Sequence, residues 1–277
     1  IQNSITMKVK IFIACHKPCE IRHDDVYTPI HVGFVNSKFK KEMKWMQNDA
    51  TGENISEKNP YYCEMTAQYW VWKNIHDIDY VGFCHYRRFQ SKYFTNDNII
   101  SLMDNHDVIF NEPIFTILPR LVELKNYLVI EDIYVMFRVV KKLYPDYYND
   151  LLAYSNGHYS YIGNMLVCKK KVFDDYAKWI FSILSECEQY VRLGSYSRQR
   201  RIFGYIAEFL MPVYFMHKQM RIKTMPFIYG NNQIYSLRLI NKVKNWGLNF
   251  LFKSKLYKEP FFDSSIVLGL KNDGIII

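Results

Sequence analysis

Short, continuously apolar segments alternate along the chain with segments whose apolar residues recur at helical spacing. The apolar segments are rich in β-branched and aromatic residues, as is typical of buried strands, and they cover 9–15, 80–84, 106–110 and 161–169. The helical segments cover 59–75, about 130–153, 171–184 and 201–217. This alternation predicts an α/β protein with a mainly parallel, open sheet flanked by helices.

Proline and asparagine indicate where two of these helices begin or change. Asn59 is expected to cap the helix 59–75, with Pro60 at its first helical position. Pro212 is expected to kink or break the helix 201–217, since proline lacks the amide hydrogen that a helix interior requires.

The length and the apolar content indicate one large folded domain with a different C-terminal segment. The chain has 277 residues, of which 49% are hydrophobic. We expect a single domain over residues 8–235 and a basic, aromatic extension over 236–277. Within the extension, residues 241–258 combine lysines with apolar residues at helical spacing, so this segment either lies on an anionic membrane or packs on its own domain.

No targeting signal is evident in the sequence. No apolar run approaches the roughly 18 residues that span a bilayer, and no secretory signal is visible. The six cysteines lack the spacing of a zinc site or a disulfide framework, so reduced thiols are expected. These features predict a cytoplasmic protein, with peripheral contact to the inner face of the plasma membrane as the alternative for 241–258.

The charge of the chain favours an anionic partner. Its 36 basic and 27 acidic residues give a net charge of +9, which suits nucleic acid, a membrane surface or a phosphorylated substrate. The 23 tyrosines and 19 phenylalanines could stack on sugar rings or on bases. Composition therefore leaves the partner open.

Cationic side chains follow two of the predicted strands. His16 and Lys17 follow the first strand, and the residues from His85 to Arg88 (HYRR) follow the second. Ligands of open α/β sheets bind at the carboxyl ends of the strands, and guanidinium groups match phosphate oxygens, so a diphosphate is expected there. The alternative is that the arginines pair with surface carboxylates, which we expect for one of the two because neighbours on an extended chain point in opposite directions.

The sequence offers no acidic pair at this position to hold a divalent metal. Asp77 and Asp79 precede the strand, at its amino end, and the adjacent pairs at 24–25 and 174–175 have no better context. We therefore expect no metal and no cofactor: His85 and the arginines would neutralise the charge of a departing nucleoside diphosphate.

Two glutamates are candidates for acid–base or binding roles. Glu208 shares a helix face with Gly204 and lies one turn before Pro212, which makes it either a general base beside cleared space or a solvated charge. Glu64 heads an apolar stripe of the helix 59–75, so it either binds a substrate hydroxyl or pairs with Arg87 or Arg88.

A buried amide and a polar loop complete the candidates. Asn164 lies inside the predicted strand 161–169, where it either binds sugar hydroxyls or is a satisfied core residue. The loop 51–59 precedes a helix and could cover a ligand, but it lacks the glycines of a phosphate-binding P-loop.

Several of these segments occur in the same order in a known family. The motifs IFIACHKP, YTPIHVG, NISEKNPYYCEMTAQYWVWKN, VGFCHYRRF, GNMLVCKKKVFDDYAKWIFSIL and RIFGYIAEFL, over about residues 8–230, resemble bacterial glycosyltransferases of capsule, exopolysaccharide and O-antigen gene clusters. This family was long catalogued as a domain of unknown function and includes galactofuranosyltransferase modules.

The resemblance implies a GT-A-like fold, a UDP-sugar donor (UDP-galactose in furanose or pyranose form) and a growing, lipid-linked oligosaccharide as acceptor. Nucleic acid is not an expected partner. The positions that match the family's motifs are His16, Lys17, Asn54, Ser56, Asn59, Glu64, His85 to Arg88, Asn164 and Glu208. Phe209 stands where the family commonly has arginine, which puts the orientation of Glu208 or an acceptor contact in doubt.

These observations lead to the hypothesis of an inverting, metal-independent hexosyltransferase. The catalytic candidates are Glu208 as general base and His85 and Arg87 as groups that stabilise the leaving diphosphate. The donor-binding candidates are His16, Lys17, Asn54, Ser56, Asn59, Tyr86, Arg88 and Asn164, whereas Glu64 and Gly204 have acceptor-binding or structural roles. The alternatives are a non-catalytic binder of nucleic acid or acidic polysaccharide and a Mg²⁺-dependent phosphotransferase or nucleotidyltransferase.

Overall fold

Strands and helices alternate in the computed structural model, which describes residues 7–194, 196, 199–230, 233–251 and 253–277. The strands are β1 (Val9–Cys15), β2 (Tyr27–His31), β3 (Gln47–Asn48), β4 (Tyr80–His85), β5 (Arg88–Gln90), β6 (Val108–Asn111), β7 (Ile114–Phe115), β8 (Tyr159–Ser160), β9 (Leu166–Lys169), β10 (Ile222–Met225), β11 (Phe227–Tyr229) and β12 (Gln233–Tyr235). The α-helices are α1 (Asn59–Tyr62), α2 (Met65–Asn74), α3 (Ile99–Met103), α4 (Arg120–Leu124), α5 (Ile130–Leu143), α6 (Tyr148–Asn156), α7 (Lys170–Glu188), α8 (Ile202–His217), α9 (Leu239–Leu251) and α10 (Ser264–Asn272).

The chain divides into two compact units, each built from three sequence segments. Unit 1 comprises the described residues of 7–112, 161–178 and 220–236, and unit 2 those of 113–160, 179–219 and 237–277. Residues 237–277 therefore belong to unit 2. The sequence predicts one domain over 8–235 and an extension over 236–277. This division of the chain stays a prediction.

A mainly parallel sheet forms the centre of unit 1. Its strand order is β10-β6-β9-β4-β1-β2-β3, and β5, β11 and β12 extend it from β4. Strand β1 pairs in parallel with β2 and β4, and β6 pairs in parallel with β10, whereas β9 runs antiparallel between β4 and β6. The predicted α/β class with a mainly parallel sheet is thus confirmed.

Both faces of this sheet are covered, which explains why β1 and β4 are continuously apolar. On one face Phe12 stacks on Phe83 with ring centroids 6.0 Å apart, and Trp70 of α2 and Phe173 of α7 pack against these rings. On the opposite face Ile11 and Ile13 belong to a buried cluster that includes Phe94 and residues of α3.

Unit 2 is mostly helical. Residues of α5, α6, the second half of α7 and α8 supply its buried apolar side chains, among them Ile133, Phe137, Leu151, Ile180 and Leu210. Helix α10 buries Leu270, and Phe262 packs edge-on against Tyr134 and Phe137 of α5.

The predicted helix 59–75 is two helices, because the backbone of Cys63 adopts φ 53° and ψ −131°. Such a conformation cannot continue an α-helix. The cap prediction is wrong, since Asn59 is the first residue of α1 and its side-chain amide donates to the Cys63 carbonyl oxygen (2.7 Å) and to the Thr66 hydroxyl (3.1 Å). Pro60 is the second residue of α1, one position later than predicted, and still lies in its first turn.

One further prediction differs from the structure. Asn164 precedes β9 instead of lying within it, in a turn where Gly163 and Asn164 both have positive φ (84° and 50°). For Pro212 the sequence predicts a kink or a break; helix α8 continues through this residue, so the break is excluded and the kink stays a prediction. Strand β2 was not predicted: it contains Pro29, which lacks the amide hydrogen of a regular ladder.

Asp132 is an unusual residue of unit 2, because its side chain is only 6% exposed in the first turn of α5. Burial, together with the charge of Glu131, raises the pKa of Asp132 to about 7. The folded protein therefore binds a proton at this site in a pH range where the unfolded chain, with a pKa of about 3.9, has lost it.

We expect the free energy of unfolding to fall as the pH rises from about 4 through about 7, since ionising Asp132 becomes a cost only in the folded state. Replacing Asp132→Asn should remove this contribution and stabilise the protein at pH 8 by about 2–4 kcal/mol. Urea denaturation at several pH values measures the free energy of unfolding of both proteins. Asp146→Asn is the matched control, because Asp146 is exposed. A difference from wild type that does not grow between pH 4 and 8 would contradict this account.

Candidate functional site

The strand register brings the ends of three parallel strands together at one edge of the sheet. Ala14 of β1 lies beside His85 of β4, and Cys15 lies beside His31 of β2. The segment after β1 and the segment after β4 therefore leave the sheet at the same edge. This is the edge at which ligands of open α/β sheets bind.

Tyr86 organises the cations of this edge. Its ring contacts the imidazole of His16 edge-on, with centroids 5.3 Å apart. The ammonium of Lys17 lies 5.9 Å and the guanidinium of Arg87 lies 5.0 Å from the centre of the same ring. One phenol thus holds three basic side chains from two different loops, through contacts of the cation–π type in the case of Lys17 and Arg87.

The two arginines contact different tyrosines. Arg88 places its guanidinium 4.8 Å from the ring centre of Tyr229 and donates a long hydrogen bond (3.4 Å) to the hydroxyl of that residue. Within the described residues, neither Arg87 nor Arg88 forms an ion pair with a carboxylate. The pairing with surface carboxylates that the sequence left open is therefore not what this part of the structure shows, and both charges remain available to an anion.

A cavity of about 260 Å³ opens beside these residues. This volume approaches the lower end of the range for small-molecule sites, about 300 Å³. The lining residues come from the sheet, from the loop after β1 and from the region around β5: Ile13, Glu20, Ile21, Arg22, Tyr27, Cys84, His85, Tyr86, Arg87, Phe89, Tyr93 and Gly230.

Aromatic rings and one further arginine form part of this cavity wall, and sequence analysis did not select them. The guanidinium of Arg22 lies 4.7 Å from the ring centre of Tyr27 and 4.2 Å from that of Tyr93, and its Nε donates to Asp24. Phe89 stacks nearly parallel to Tyr93. The only sequence signal was the position of Arg22 in the loop after the first strand, because the rings come together through tertiary packing.

Glu64, Asn164 and His85 form a compact polar cluster beside the end of β4. The side-chain amide of Asn164 donates to Glu64 Oε1 (2.7 Å), and the Nε2 atom of His85 lies 3.9 Å from the same oxygen. His85 Nε2 also lies 2.7 Å from the carbonyl oxygen of Gly163; since a carbonyl only accepts, this nitrogen carries hydrogen. Among the described residues Glu64 therefore contacts an amide and an imidazole, and it pairs with neither Arg87 nor Arg88.

This cluster is closely packed. Gln68 donates to the backbone oxygen of Asn164 (2.9 Å), and the adjoining cavity measures only about 10 Å³, roughly the room for one water molecule. His85 lines both this small cavity and the large one. His85 thus connects the polar cluster to the open side of the site.

A second polar network holds the loop 51–59. The carboxylate of Asp49 is fully buried and accepts hydrogen bonds from the backbone of Gly33 (2.8 Å) and Phe34 (3.1 Å) and from the hydroxyls of Ser56 and Thr66. Gly33 has φ 65°, and a Cβ atom there would lie 2.6 Å from the Asn59 side-chain oxygen. This position therefore requires glycine, because a side chain would combine a left-handed backbone with a steric clash against Asn59.

Three predicted donor-binding residues take part in this internal bonding. Asn54 donates to the carbonyl oxygens of Ala50 (3.2 Å) and Gly52 (2.9 Å), Ser56 donates to Asp49, and Asn59 donates to Cys63 and Thr66. These contacts give the side chains a positioning role in the loop, and direct contact with a donor stays a prediction.

The acidic pairs considered from sequence lie in local ion pairs or turns. Asp79 accepts from the Lys8 backbone (2.8 Å) and Asp77 pairs with the Lys8 ammonium (2.6 Å), at the amino end of β4 as predicted. Asp174 and Asp175 pair with lysines one turn earlier in α7. Across the described ranges, no group of three or more His, Cys, Asp or Glu side chains has the arrangement of a metal site.

Glu208 and Gly204 belong to unit 2, where both lie in α8. Glu208 is half-buried and Gly204 is buried. At the position of the family's arginine, Phe209 packs in the core, and the buried guanidinium of Arg120 from α4 lies 5.8 Å from its ring centre. An arginine therefore does lie beside this segment, although a different helix supplies it.

None of the six cysteines forms a disulfide bond. Cys15 and Cys19 flank His16 and Lys17, with their sulfur atoms 3.9 Å apart. The hydrogen bond that they share, aided by the charge of Lys17, lowers the pKa of Cys19, and the same hydrogen bond together with burial raises the pKa of Cys15.

We expect Asp49→Asn to destabilise the protein by about 2–4 kcal/mol, because an amide cannot accept from all four donors and places its own hydrogens against some of them. The free energy of unfolding in urea measures this. Asp77→Asn is the matched control; it removes only an exposed ion pair and should cost less than about 1 kcal/mol. Equal effects of the two substitutions would show that the Asp49 network does not hold the loop.

Comparison with known proteins places this site in a family. No curated protein matches the chain. A solved structure described as the apo structure of the WbbM bifunctional glycosyltransferase is similar, with 30% sequence identity and a TM-score of 0.72; the similarity covers 81% of this chain and 46% of that one. The chain thus spans about half the length of that enzyme. The family described as "Domain of unknown function (DUF4422)" matches residues 10–219, which is more than half of the chain, and the protein belongs to this family.

Proposed function

We propose that this protein is a glycosyltransferase that moves a hexose, galactose in furanose or pyranose form, from a UDP-sugar to a growing, lipid-linked surface polysaccharide. The observation on which this proposal chiefly rests is the group of cationic side chains around the 260 Å³ cavity at the carboxyl edge of the sheet. The similarity to a bifunctional glycosyltransferase supports the reaction class.

The cavity suits a nucleotide in two respects. The rings of Tyr27, Phe89 and Tyr93 offer faces on which a base or ribose can stack. The charges of His16 (when protonated), Lys17 and Arg87 lie together around Tyr86, and a diphosphate bound there would be held by charge-assisted hydrogen bonds. In this proposal Arg22 contacts the nucleoside and Arg88 assists the diphosphate.

Departure of the diphosphate requires that its developing negative charge be stabilised. Arginine is always charged at neutral pH, so Arg87 and Arg88 can supply this stabilisation without a bound metal ion. His85 lies at the boundary of the cavity, held by Gly163 and adjacent to Glu64, and in the proposal it contacts the sugar-linked phosphate. Metal independence is accordingly part of what we propose.

Hydroxyl groups of the sugars need acceptors and a base. Asn164 fixes one oxygen of Glu64, and within the described residues the other oxygen makes no hydrogen bond, so it could accept from a sugar hydroxyl. We assign removal of the acceptor's hydroxyl proton to Glu208, whose carboxylate would then permit direct displacement and inversion at the anomeric carbon.

Binding of UDP is the first test. We expect UDP and UDP-galactose to raise the melting temperature more than ADP, GDP or CDP, with or without EDTA. Arg87→Gln should weaken UDP binding about 10-fold or more, because it removes a charged hydrogen-bond donor to phosphate. Isothermal titration calorimetry measures the change. Arg221→Gln is the matched control, since Arg221 pairs with Asp107 at the amino edge of the sheet.

Three results would contradict this assignment. Loss of turnover in EDTA with recovery in Mn²⁺ would show that a metal holds the diphosphate. Equal binding of all nucleotides with steep salt dependence would indicate a binder of nucleic acid. An unchanged affinity of Arg87→Gln for UDP would remove this residue from the site.

Turnover tests the proposed base. Glu208→Gln should lower the rate of UDP release from UDP-galactose, in the presence of alkyl galactoside acceptors, by about 10²–10⁴, because the amide cannot take up a proton. The affinity for UDP should stay unchanged. Glu42→Gln, an exposed glutamate of unit 1, controls for the loss of charge. A variant with wild-type turnover would exclude Glu208 as the base.

A further inference from the structure

Helix α9 of unit 2 exposes an unusual number of large apolar side chains. No residue of this helix is buried. Its exposed apolar residues, with their exposed fractions, are Leu239 (76%), Ile240 (55%), Val243 (56%), Trp246 (70%), Phe250 (70%) and Leu251 (71%). An exposed apolar surface of this extent on a folded protein marks a site of interaction.

These side chains lie on one side of α9. Leu239, Val243, Trp246 and Phe250 follow one another at spacings of four, three and four residues, which places them in one stripe, and Ile240 and Leu251 widen it on one side. The rings of Trp246 and Phe250 stack on each other with centroids 5.9 Å apart. The half-buried residues Asn241, Asn245 and Leu248 lie on the opposite side of the helix.

The surroundings of the stripe are strongly basic. From Arg238 to Lys258 the sequence contains six basic residues and no acidic one. Lys242 and Lys244 are exposed, and helical geometry places them on either flank of the stripe. Long lysine side chains at such positions can keep their stems on apolar material while their ammonium groups reach outward.

The segment after α9 is attached to the rest of unit 2. The side-chain amide of Asn156 in α6 donates to the carbonyl oxygens of Leu256 and Lys258, each at 3.1 Å. Glu259 pairs with Lys141 of α5 (3.0 Å). These contacts lie just beyond the helix, so α9 is held at its C-terminal side while its apolar stripe stays exposed.

From this combination we propose that α9 is a membrane-docking helix that lies in the surface of an anionic phospholipid bilayer, with its apolar stripe among the acyl chains and its lysines at the acidic headgroups. An amphipathic helix with a lysine-rich border and aromatic residues on its apolar side is suited to this position. No helix in the described part of the chain is long and apolar enough to cross a bilayer, and α9 itself has only 13 residues.

Other occupants of the stripe agree less well with the charges. A second copy of the chain, docked through the same face by a two-fold axis, would bring the flanking lysines of both copies close together without an acidic partner. A nucleic acid would satisfy the lysines but would make little use of the aliphatic residues Leu239, Val243 and Leu251. An anionic bilayer uses both the charge and the apolar stripe.

Flotation of the full chain with lipid vesicles tests the proposal. We expect binding to phosphatidylglycerol–phosphatidylcholine vesicles and little binding to phosphatidylcholine alone. Lys242→Gln with Lys244→Gln should weaken binding about 25-fold, or about fivefold for each lysine, and Trp246→Asp should weaken it about 10-fold or more. Trp45→Asp is the matched control, since Trp45 of unit 1 is also exposed (47%).

The outcomes separate the alternatives. Because the substituted residues are exposed, melting temperature and UDP binding should not change, so a failure here is distinct from a failure of the proposed transferase activity. The proposal is overturned if the protein does not bind anionic vesicles at low salt. It is also overturned if the Trp246→Asp and Trp45→Asp variants bind these vesicles equally well in flotation. It is also overturned if light scattering shows a dimer that Trp246→Asp dissociates.

Discussion

The Glu64 carboxylate joins three parts of unit 1 that are distant in sequence. It precedes α2, accepts from Asn164 in the turn before β9, and lies beside His85 at the end of β4. A carboxylate with little exposure needs such partners, because an unpaired buried charge would be costly. The position of His85, and with it the course of the cationic segment that follows, depends on this contact and on the hydrogen bond to Gly163.

Two kinds of interaction surround the end of β4. On one side, closely packed polar groups fix His85 and leave room for about one water molecule. On the other side, rings and guanidinium groups surround an open cavity, and Tyr86 holds several cations through its π face. In the described residues the ring of Tyr86 leaves Lys17 and Arg87 without a carboxylate partner, whereas Arg22 also pairs with Asp24. The edge of the sheet is therefore closely packed on one side of His85 and carries available positive charge on the other.

The loop 51–59 illustrates that the polar residues of a specific sequence motif can bond within their own part of the fold. Its asparagines and serine are predicted to bind the donor, and in the structure their side chains bond to Asp49, to backbone carbonyls and to Thr66. Polar residues in such a motif can form hydrogen bonds within the fold or with a ligand. Their spacing in the sequence does not distinguish these two roles. Only the folded structure shows where their hydrogen bonds go.

The sequence by itself determined the α/β class, strand β1 to the residue, and the cationic ends of β1 and β4, because continuous apolar runs and the residues that terminate them are local features. Tertiary structure decided the break at Cys63, the turn at Asn164, and the aromatic wall with Arg22. A backbone with positive φ gives little local signal, and residues from β2, β5 and the loop after β5 become neighbours only when the sheet assembles. The spacing of apolar residues predicts which side of a strand or helix each side chain lies on. A binding cavity depends on which strands, helices and loops, distant in sequence, pack next to each other.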